Sequence, residues 1–255
     1  MRQEFPILEY DSDPHGIIDI DLEEDALPGM PEHCVICFFR DVFERFSEQG
    51  IITPLKTLRT EMGDHPVYLH SVGERQVALL HQGVGAPLAS SLVEEMIALG
   101  GRKFIACGGA GVLDPSIAMG HILVPTAAIR DEGTSYHYLP PAREVEPTPA
   151  ALAAIETVLR ERNVDYLLTK TWTTDAFFRE TKGKVALRKE EGCAAVEMEA
   201  AAMFAVAHFR NVELAQILYS GDSVDPEKWD HRDWTSNWTV REMLVELAAE
   251  ACLLL

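Results

Sequence analysis

From residue 34 to the C-terminus, short apolar runs alternate with longer stretches whose apolar residues recur at helical spacing. The apolar runs predict strands over 34–39, 67–70, 76–82, 103–107, 121–125, 166–172 and 214–219. The helical pattern predicts helices over 40–49, 87–99, 149–162, 185–191, 194–209 and from 239 to the end. In PLASSLVEEMIAL, for example, Leu88, Leu92, Met96 and Leu99 share a face, Glu94 and Glu95 lie opposite, and Gly100-Gly101 stops the helix. Strands interleaved with helices in this way predict an α/β fold of three layers: a mixed, mostly parallel central sheet flanked by helices. No internal repeat or Gly/Ser-rich linker breaks the pattern, so residues 33–255 are expected to form a single domain. Residues 1–32 are acidic, dotted with proline and aperiodic, and read as an extended N-terminal arm.

Composition narrows the function. Hydrophobic residues make up 47% and charged residues 25% of the 255, which are globular values and exclude a disordered chain. Lys and Arg number 22 against 41 Asp and Glu, a net charge of −19, which argues against nucleic acid or an anionic membrane as partner. No apolar run reaches the ~20 residues of a membrane span. The first residues, MRQEFPILEYDSDPHG, carry no apolar leader core, so a cytoplasmic location is expected. The five cysteines are an odd number and sit mostly in apolar runs, in keeping with a reducing compartment. Cys34 and Cys37 form a CxxC, but in HCVICFF they are expected on opposite faces of a buried strand rather than as a redox or zinc pair.

Two glycine clusters follow apolar runs, HQGVGAP (81–87) and ACGGAGVLDP (106–115), and both read as strand-to-helix turns. Such turns let backbone N–H groups approach a ligand closely. Neither fits GxGxxG, because the third glycine positions hold Leu88 and Asp114, and no GxxxxGK[ST] occurs, so a dinucleotide or nucleoside triphosphate is not indicated. In AAVEMEAAAMFAVA (194–207), Glu197 and Glu199 sit at the start of an apolar helix. Helix-dipole compensation can explain one of them. Side chains two apart do not share a helix face, so the other is available to accept hydrogen bonds from the vicinal hydroxyls of a sugar. In YSGDSVD (219–225), Asp222 follows an apolar strand, where α/β sheets place their ligand crevices; its ordinary alternative is turn chemistry.

Together these segments resemble the nucleoside phosphorylase superfamily, in particular its hexameric purine and uridine phosphorylase branch, over roughly residues 34–255. GVG, with Val84 at its centre, is similar to the family's turn beside the ribose. Gly109, Ala110 and Gly111 in GGAG look like its turn beneath phosphate and base. GHILVPTAAIRDEGTSYHY (120–138) is similar to a strand and loop of uridine phosphorylases. TTDAFF looks like the segment whose aromatic, here Phe177, packs on the base. VEMEAA is the most specific match and brings Glu197 with it, Met198 and Glu199 falling on ribose-binding positions. GDSVDPEKWD resembles the loop with the purine-type acid, here Asp222, and Trp229 as a lid residue. The resemblance implies Arg40 and Arg59 as phosphate-binding residues, Arg59 lent by a neighbouring subunit, and therefore a homo-oligomer, whether dimer, trimer or hexamer. The chain departs from the family at Ala106 and Gly109, where the phosphorylases carry an arginine and a serine for phosphate. Thr181 and Gly183 replace the glutamine and arginine that read uracil, which favours a purine.

The resemblance implies cleavage of the N-glycosidic bond of a purine-type nucleoside. Glu199 would hold the ribose hydroxyls and stabilise the cationic transition state. Asp222, its pKa raised by desolvation under Phe177 and Trp229, would protonate the departing base at N7. The expected co-substrate is inorganic phosphate, yielding ribose 1-phosphate, with no metal or organic cofactor. Two alternatives stand beside this: a nucleosidase in which Asp41 or Glu44 positions water, and a non-catalytic nucleoside-binding or storage protein.

Overall fold

Alternate residues of the first strand, β1 (His33–Cys37), face two different cores, which fixes the layering of the molecule. Val35 and Cys37 point into one core, formed with α1 (Arg40–Glu48), α3 (Pro149–Glu161) and α6 (Trp238–Cys252). Cys34 and Ile36 point into the other, against α2 (Ala86–Leu99) and α5 (Ala200–Arg210). A strand buried on both faces reads as a continuous apolar run, and the CxxC spacing duly places its two thiols on opposite sides. All five cysteines are free and buried.

The structure is a computed structural model describing residues 2–20, 24–225 and 227–255. Met1, residues 21–23 of the expected arm and Pro226 of GDSVDPEKWD lie outside the described residues. Among the described residues eleven strands form one sheet: β1, β2 (Ile52–Thr60), β3 (Gly63–Val72), β4 (Arg75–His81), β5 (Lys103–Val112), β6 (Ile122–Asp131), β7 (Glu144–Val145), β8 (Tyr166–Thr174), β9 (Cys193–Glu197), β10 (Glu213–Val224) and β11 (Trp229–Asp230). The order is β11-β10-β6-β8-β9-β5-β1-β4-β3-β2, and β10 also pairs with β5, so the strands between them close into a ring. The pairings β1–β4, β1–β5, β5–β10, β6–β8 and β8–β9 are parallel and the rest antiparallel, a more even mixture than the sequence suggested. The remaining α-helix, α4 (Lys182–Glu190), packs at β9. No helix of the described residues is long and apolar enough to cross a membrane.

Three expectations need correction. Residues 194–199 are not helical: Cys193–Glu197 is a strand between β8 and β5, and the helix begins only at Ala200. Alanine-rich sequence favours a helix locally, but burial among neighbouring strands prevails. The GGAG cluster is likewise strand rather than turn, since β5 runs on to Val112. Its missing side chains make room for others: a Cβ on Gly108 would lie 2.8 Å from Phe38, and one on Gly109 3.1 Å from Tyr219. Finally β2, unmarked by the apolar pattern, is a mostly exposed edge strand. The N-terminal arm is anchored where Ile20, Leu27 and Met30 pack on the α2/α5 core and Arg210 pairs with Asp19.

Candidate active site

A cleft of about 390 Å³ opens where β1, β5, β9 and β10 end or bend, the position at which α/β sheets hold ligands. Its floor is the glycine-rich part of β5, where Gly109, Ala110 and Gly111 expose backbone. At Gly111 a Cβ would lie 3.0 Å from Val224, 3.1 Å from Val196 and 3.3 Å from Asp222 Oδ1, so only glycine leaves Asp222 its place.

One wall comes from the end of β9. Glu197 Oε2 accepts from the backbone N–H groups of Glu199 (2.7 Å) and Ala200 (2.6 Å), which are orphan donors of the first turn of α5. Its Oε1 accepts from Thr173 Oγ1 at 2.6 Å and Thr171 Oγ1 at 3.4 Å. Glu197 lines the cleft, but its acceptor capacity is spent on holding the strand-to-helix junction. That junction aims Met198 and Glu199 into the cleft, where Glu199 Oε1 accepts from Gly85 N at 2.6 Å. Gly85 can offer that N–H because it sits at φ 103°, a conformation that favours glycine.

Burial first, and the Glu197 carboxylate second, push Glu199 up to about 8. Burial raises Glu197 as well, but its four donors favour the anion, so the proton shared by the pair rests on Glu199. Folded Glu199 therefore keeps a proton that the unfolded chain releases above about 4.5, and folding stability drops as pH rises from there to about 8. Glu199→Gln is expected to remove this slope, gaining roughly 1–3 kcal/mol over the parent at pH ~9 relative to pH ~5. Urea unfolding at the two pH values measures it, and parallel behaviour of both proteins would give Glu199 an ordinary carboxyl.

The opposite wall carries Gly221, Asp222 and Trp234. Asp222 Oδ2 accepts from Trp229 Nε1 at 2.6 Å, which ties the β11 segment to the acid. The carboxyl pushed up in this corner is that of Glu180, raised to about 7 by burial and then by the Asp222 charge. A third wall holds Phe38, Phe39, Asp41 and Arg241. Arg241 reaches across from α6, donates from Nη2 to Asp41 Oδ1 at 2.6 Å and stacks over Phe39 at 4.7 Å. Val84, from the GVG turn, closes the rim.

Of the residues expected at the site, Val84, Gly109, Ala110, Gly111, Glu197, Met198, Glu199 and Asp222 share this cleft. Trp229 touches it through Asp222. Phe177 does not line it: its ring packs on Phe178, with centroids 4.1 Å apart, and is half exposed. The aromatics that line it are Phe38, Phe39 and Trp234. Gly83 and Arg40 line a neighbouring cavity that meets the cleft at Val84. Arg59 stands on β2 with its side chain 82% exposed, paired with Asp64 at 3.6 Å, and is not on the wall of its own cleft. Sequence reasoning missed Glu180, Trp234 and Arg241. Arg241 left a signal, because it shares the α6 stripe of buried Leu244, Val245 and Ala248, a face on which a lone arginine needs a reason. Glu180, inside the charged stretch FFRETKGK, left none. Among the described residues no three His, Cys, Asp or Glu side chains converge as metal ligands do.

The chain is similar to known proteins over much of its length. The uridine phosphorylase of Treponema pallidum is 28% identical over 166 residues, 61% of this chain and 64% of its own. The guanosine phosphorylase of Halorubrum lacusprofundi is 30% identical over 135 residues, 53% of this chain and 56% of its own. The matched stretches thus span less than two thirds of either relative. The crystal structure of a uridine phosphorylase from Vibrio fischeri superposes with a TM-score of 0.73 at 22% identity, covering 88% of this chain and 92% of that one. The description of the phosphorylase superfamily matches residues 32–254, from the start of β1 to beyond the end of α6 and so across every wall of the cleft; the chain belongs to that superfamily.

Proposed function

We propose that this chain cleaves the N-glycosidic bond of a purine-type nucleoside and passes the ribosyl group to inorganic phosphate. The observation that carries the reading is the placement of Glu199 and Asp222 on facing walls of one small cleft whose floor is bare backbone. A nucleoside laid across Gly109–Gly111 puts its ribose hydroxyls at Glu199 and its base at Asp222. The bond between C1′ and the base nitrogen breaks with its electron pair moving onto the base, which gains a proton at N7 from Asp222. A phosphate oxygen then bonds to C1′ and gives ribose 1-phosphate. Glu199, holding a proton at neutral pH, fixes the ribose through hydrogen bonds to its carboxyl, and the Glu197 carboxylate behind it opposes the positive charge that develops on the sugar ring. Asp222 and the absence of uracil-reading residues at Thr181 and Gly183 favour the purine, and the curated relatives named for uridine and guanosine phosphorolysis favour phosphate. Arg241 is the cation on the cleft wall among the described residues, and Arg59 of a second copy in a homo-oligomer would add another.

One observation favours water as the attacking group. Arg241 is already held by Asp41, and the carboxyls of Glu197 and Asp222 line the same cleft, an acidic setting that repels a phosphate dianion. Asp41 would then act as the base that orients water at C1′. Incubating the protein with guanosine, adenosine and uridine, with and without phosphate, separates the readings. Ribose 1-phosphate formed only with phosphate supports the first, free ribose in either buffer the second, and no cleavage at all rejects both.

Glu180 refines the proton step. With its carboxyl raised to about 7 by burial and the Asp222 charge, it is about half protonated at neutral pH and can resupply the acid after each turnover. Cleavage is therefore expected to decline above pH ~7, and Glu180→Gln should displace that alkaline limb. A pH–rate profile with the limb unmoved would confine Glu180 to a packing role.

A further inference from the structure

The two oxygens of Asp222 have different surroundings. Oδ1 faces the glycine floor, 3.3 Å from where a Cβ on Gly111 would stand. Oδ2 is turned to the rim, where it accepts from Trp229 Nε1 at 2.6 Å. Trp229 is brought there by β11, which pairs antiparallel with the end of β10: Val224 stands opposite Trp229 and Ser223 opposite Asp230. Packing does not account for the position of the indole. The residue is 59% exposed, and its ring meets His231 only edge to face, with centroids 5.4 Å apart. A tryptophan this open forgoes most of the apolar burial that usually fixes such a side chain. Its directed contact is the N–H to Asp222.

We propose that Trp229 is a positioning residue for proton transfer: its N–H holds Oδ2, so that the acidic hydrogen of Asp222 sits on Oδ1 and faces a base laid over Gly109–Gly111. The inference rests on the proposed cleavage with Asp222 as the acid, and it is the same whether phosphate or water attacks. An indole nitrogen can donate a hydrogen bond but never accept one. The oxygen it binds must present a lone pair, which leaves Oδ1 to carry the proton toward the floor. As the bond between C1′ and the base breaks, its electron pair moves onto the base. The proton passes from Oδ1 to N7, and Asp222 is left as a carboxylate. A hydrogen bond to an ionised acceptor is roughly twice as strong as one to a neutral acceptor, so the bond from Trp229 tightens while the proton leaves. That gain arises in the transition state and lowers the barrier rather than improving ground-state binding.

Trp229→Phe keeps an aromatic ring beside His231 and deletes the donor. With guanosine, kcat is expected to fall about ten- to hundredfold, the worth of one hydrogen bond to a charged group, with KM within about twofold of the parent's. 7-Methylguanosine carries a methyl group where the proton would go, so its base leaves without an acid. The ratio of guanosine to 7-methylguanosine rates is therefore expected to fall about tenfold or more in Trp229→Phe, which a general loosening of the cleft would not produce. An equal loss with both substrates, or guanosine turnover as fast as the parent's, would overturn the inference while leaving nucleoside cleavage standing. The contact has its own readout in the ¹⁵N–¹H NMR spectrum, where the Trp229 indole signal is the one missing from Trp229→Phe. That signal is expected to shift upfield in Asp222→Ala, as a strong hydrogen bond is lost. A parent protein inert toward both nucleosides would reject the proposed reaction. The indole signal then decides the hold on Asp222 by itself: movement in Asp222→Ala upholds it, and an unmoved signal overturns it.

Discussion

Asp222→Asn is expected to slow cleavage of purine nucleosides by about 10²–10⁴-fold, the range typical of a lost general acid. Asparagine keeps the shape of the side chain, can still accept from Trp229 Nε1 and can donate to a ring nitrogen. What it cannot do is surrender a proton as the base leaves. The loss should therefore fall on kcat, with KM changing little, because Glu199 and the floor of β5 still hold the sugar. Glu199→Gln should behave differently and damage KM and kcat together, since the ribose contact exists before the transition state as well as within it. Steady-state rates with guanosine as substrate decide the matter. Turnover that survives Asp222→Asn would reduce Asp222 to a turn residue, with Trp229 merely packed against it.

The layers of this fold were legible because most of its elements are long and strongly patterned. Gly100 ends α2 as expected, at φ 123°, and the alternation of Cys34 and Cys37 between two cores follows from strand period alone. The errors lie where local chemistry and tertiary burial disagree. Glycine reads as a turn signal, yet Gly108–Gly111 continue β5 because Phe38, Tyr219 and Val196 occupy the space their side chains would need. Alanine reads as helix, yet Ala194 and Ala195 lie in a strand between two others.

The site divides along the same line. Glu199 stands just after β9, and Asp222, expected just past a strand, lies near the end of β10, which runs on to Val224; both are at the strand ends where position in the chain already suggests a crevice. Arg241 and Trp234 approach from the C-terminal region, and no spacing in the sequence connects them to Asp41 or Gly221. Phe177 shows the reverse failure: its motif is in place, but the 3-10 turn that carries it, Phe177–Arg179, turns the ring onto Phe178. The residue of that segment that feels the charge of Asp222 is Glu180.

Glu197 and Glu199 share a motif and a pocket but should separate sharply under mutation. Glu197→Ala removes at once the acceptor for two threonine hydroxyls and for the N–H groups of Glu199 and Ala200, all within a fully buried junction. Unsatisfied buried donors cost about 1–3 kcal/mol each before relaxation, so a loss of about 3–5 kcal/mol of folding stability is expected. Thermal unfolding would report it as a fall in Tm of roughly 10 °C or more. Glu197→Gln isolates electrostatics from packing: the amide oxygen can still accept from the two N–H groups and its NH₂ can face the threonines, but the negative charge is gone. Without that charge, the second cause of the raised Glu199 pKa disappears, so the Glu199 titration should move down from about 8 while the fold survives. A Glu197→Ala protein as stable as its parent would mean that water satisfies the junction and that Glu197, like Glu199, is free to bind the sugar.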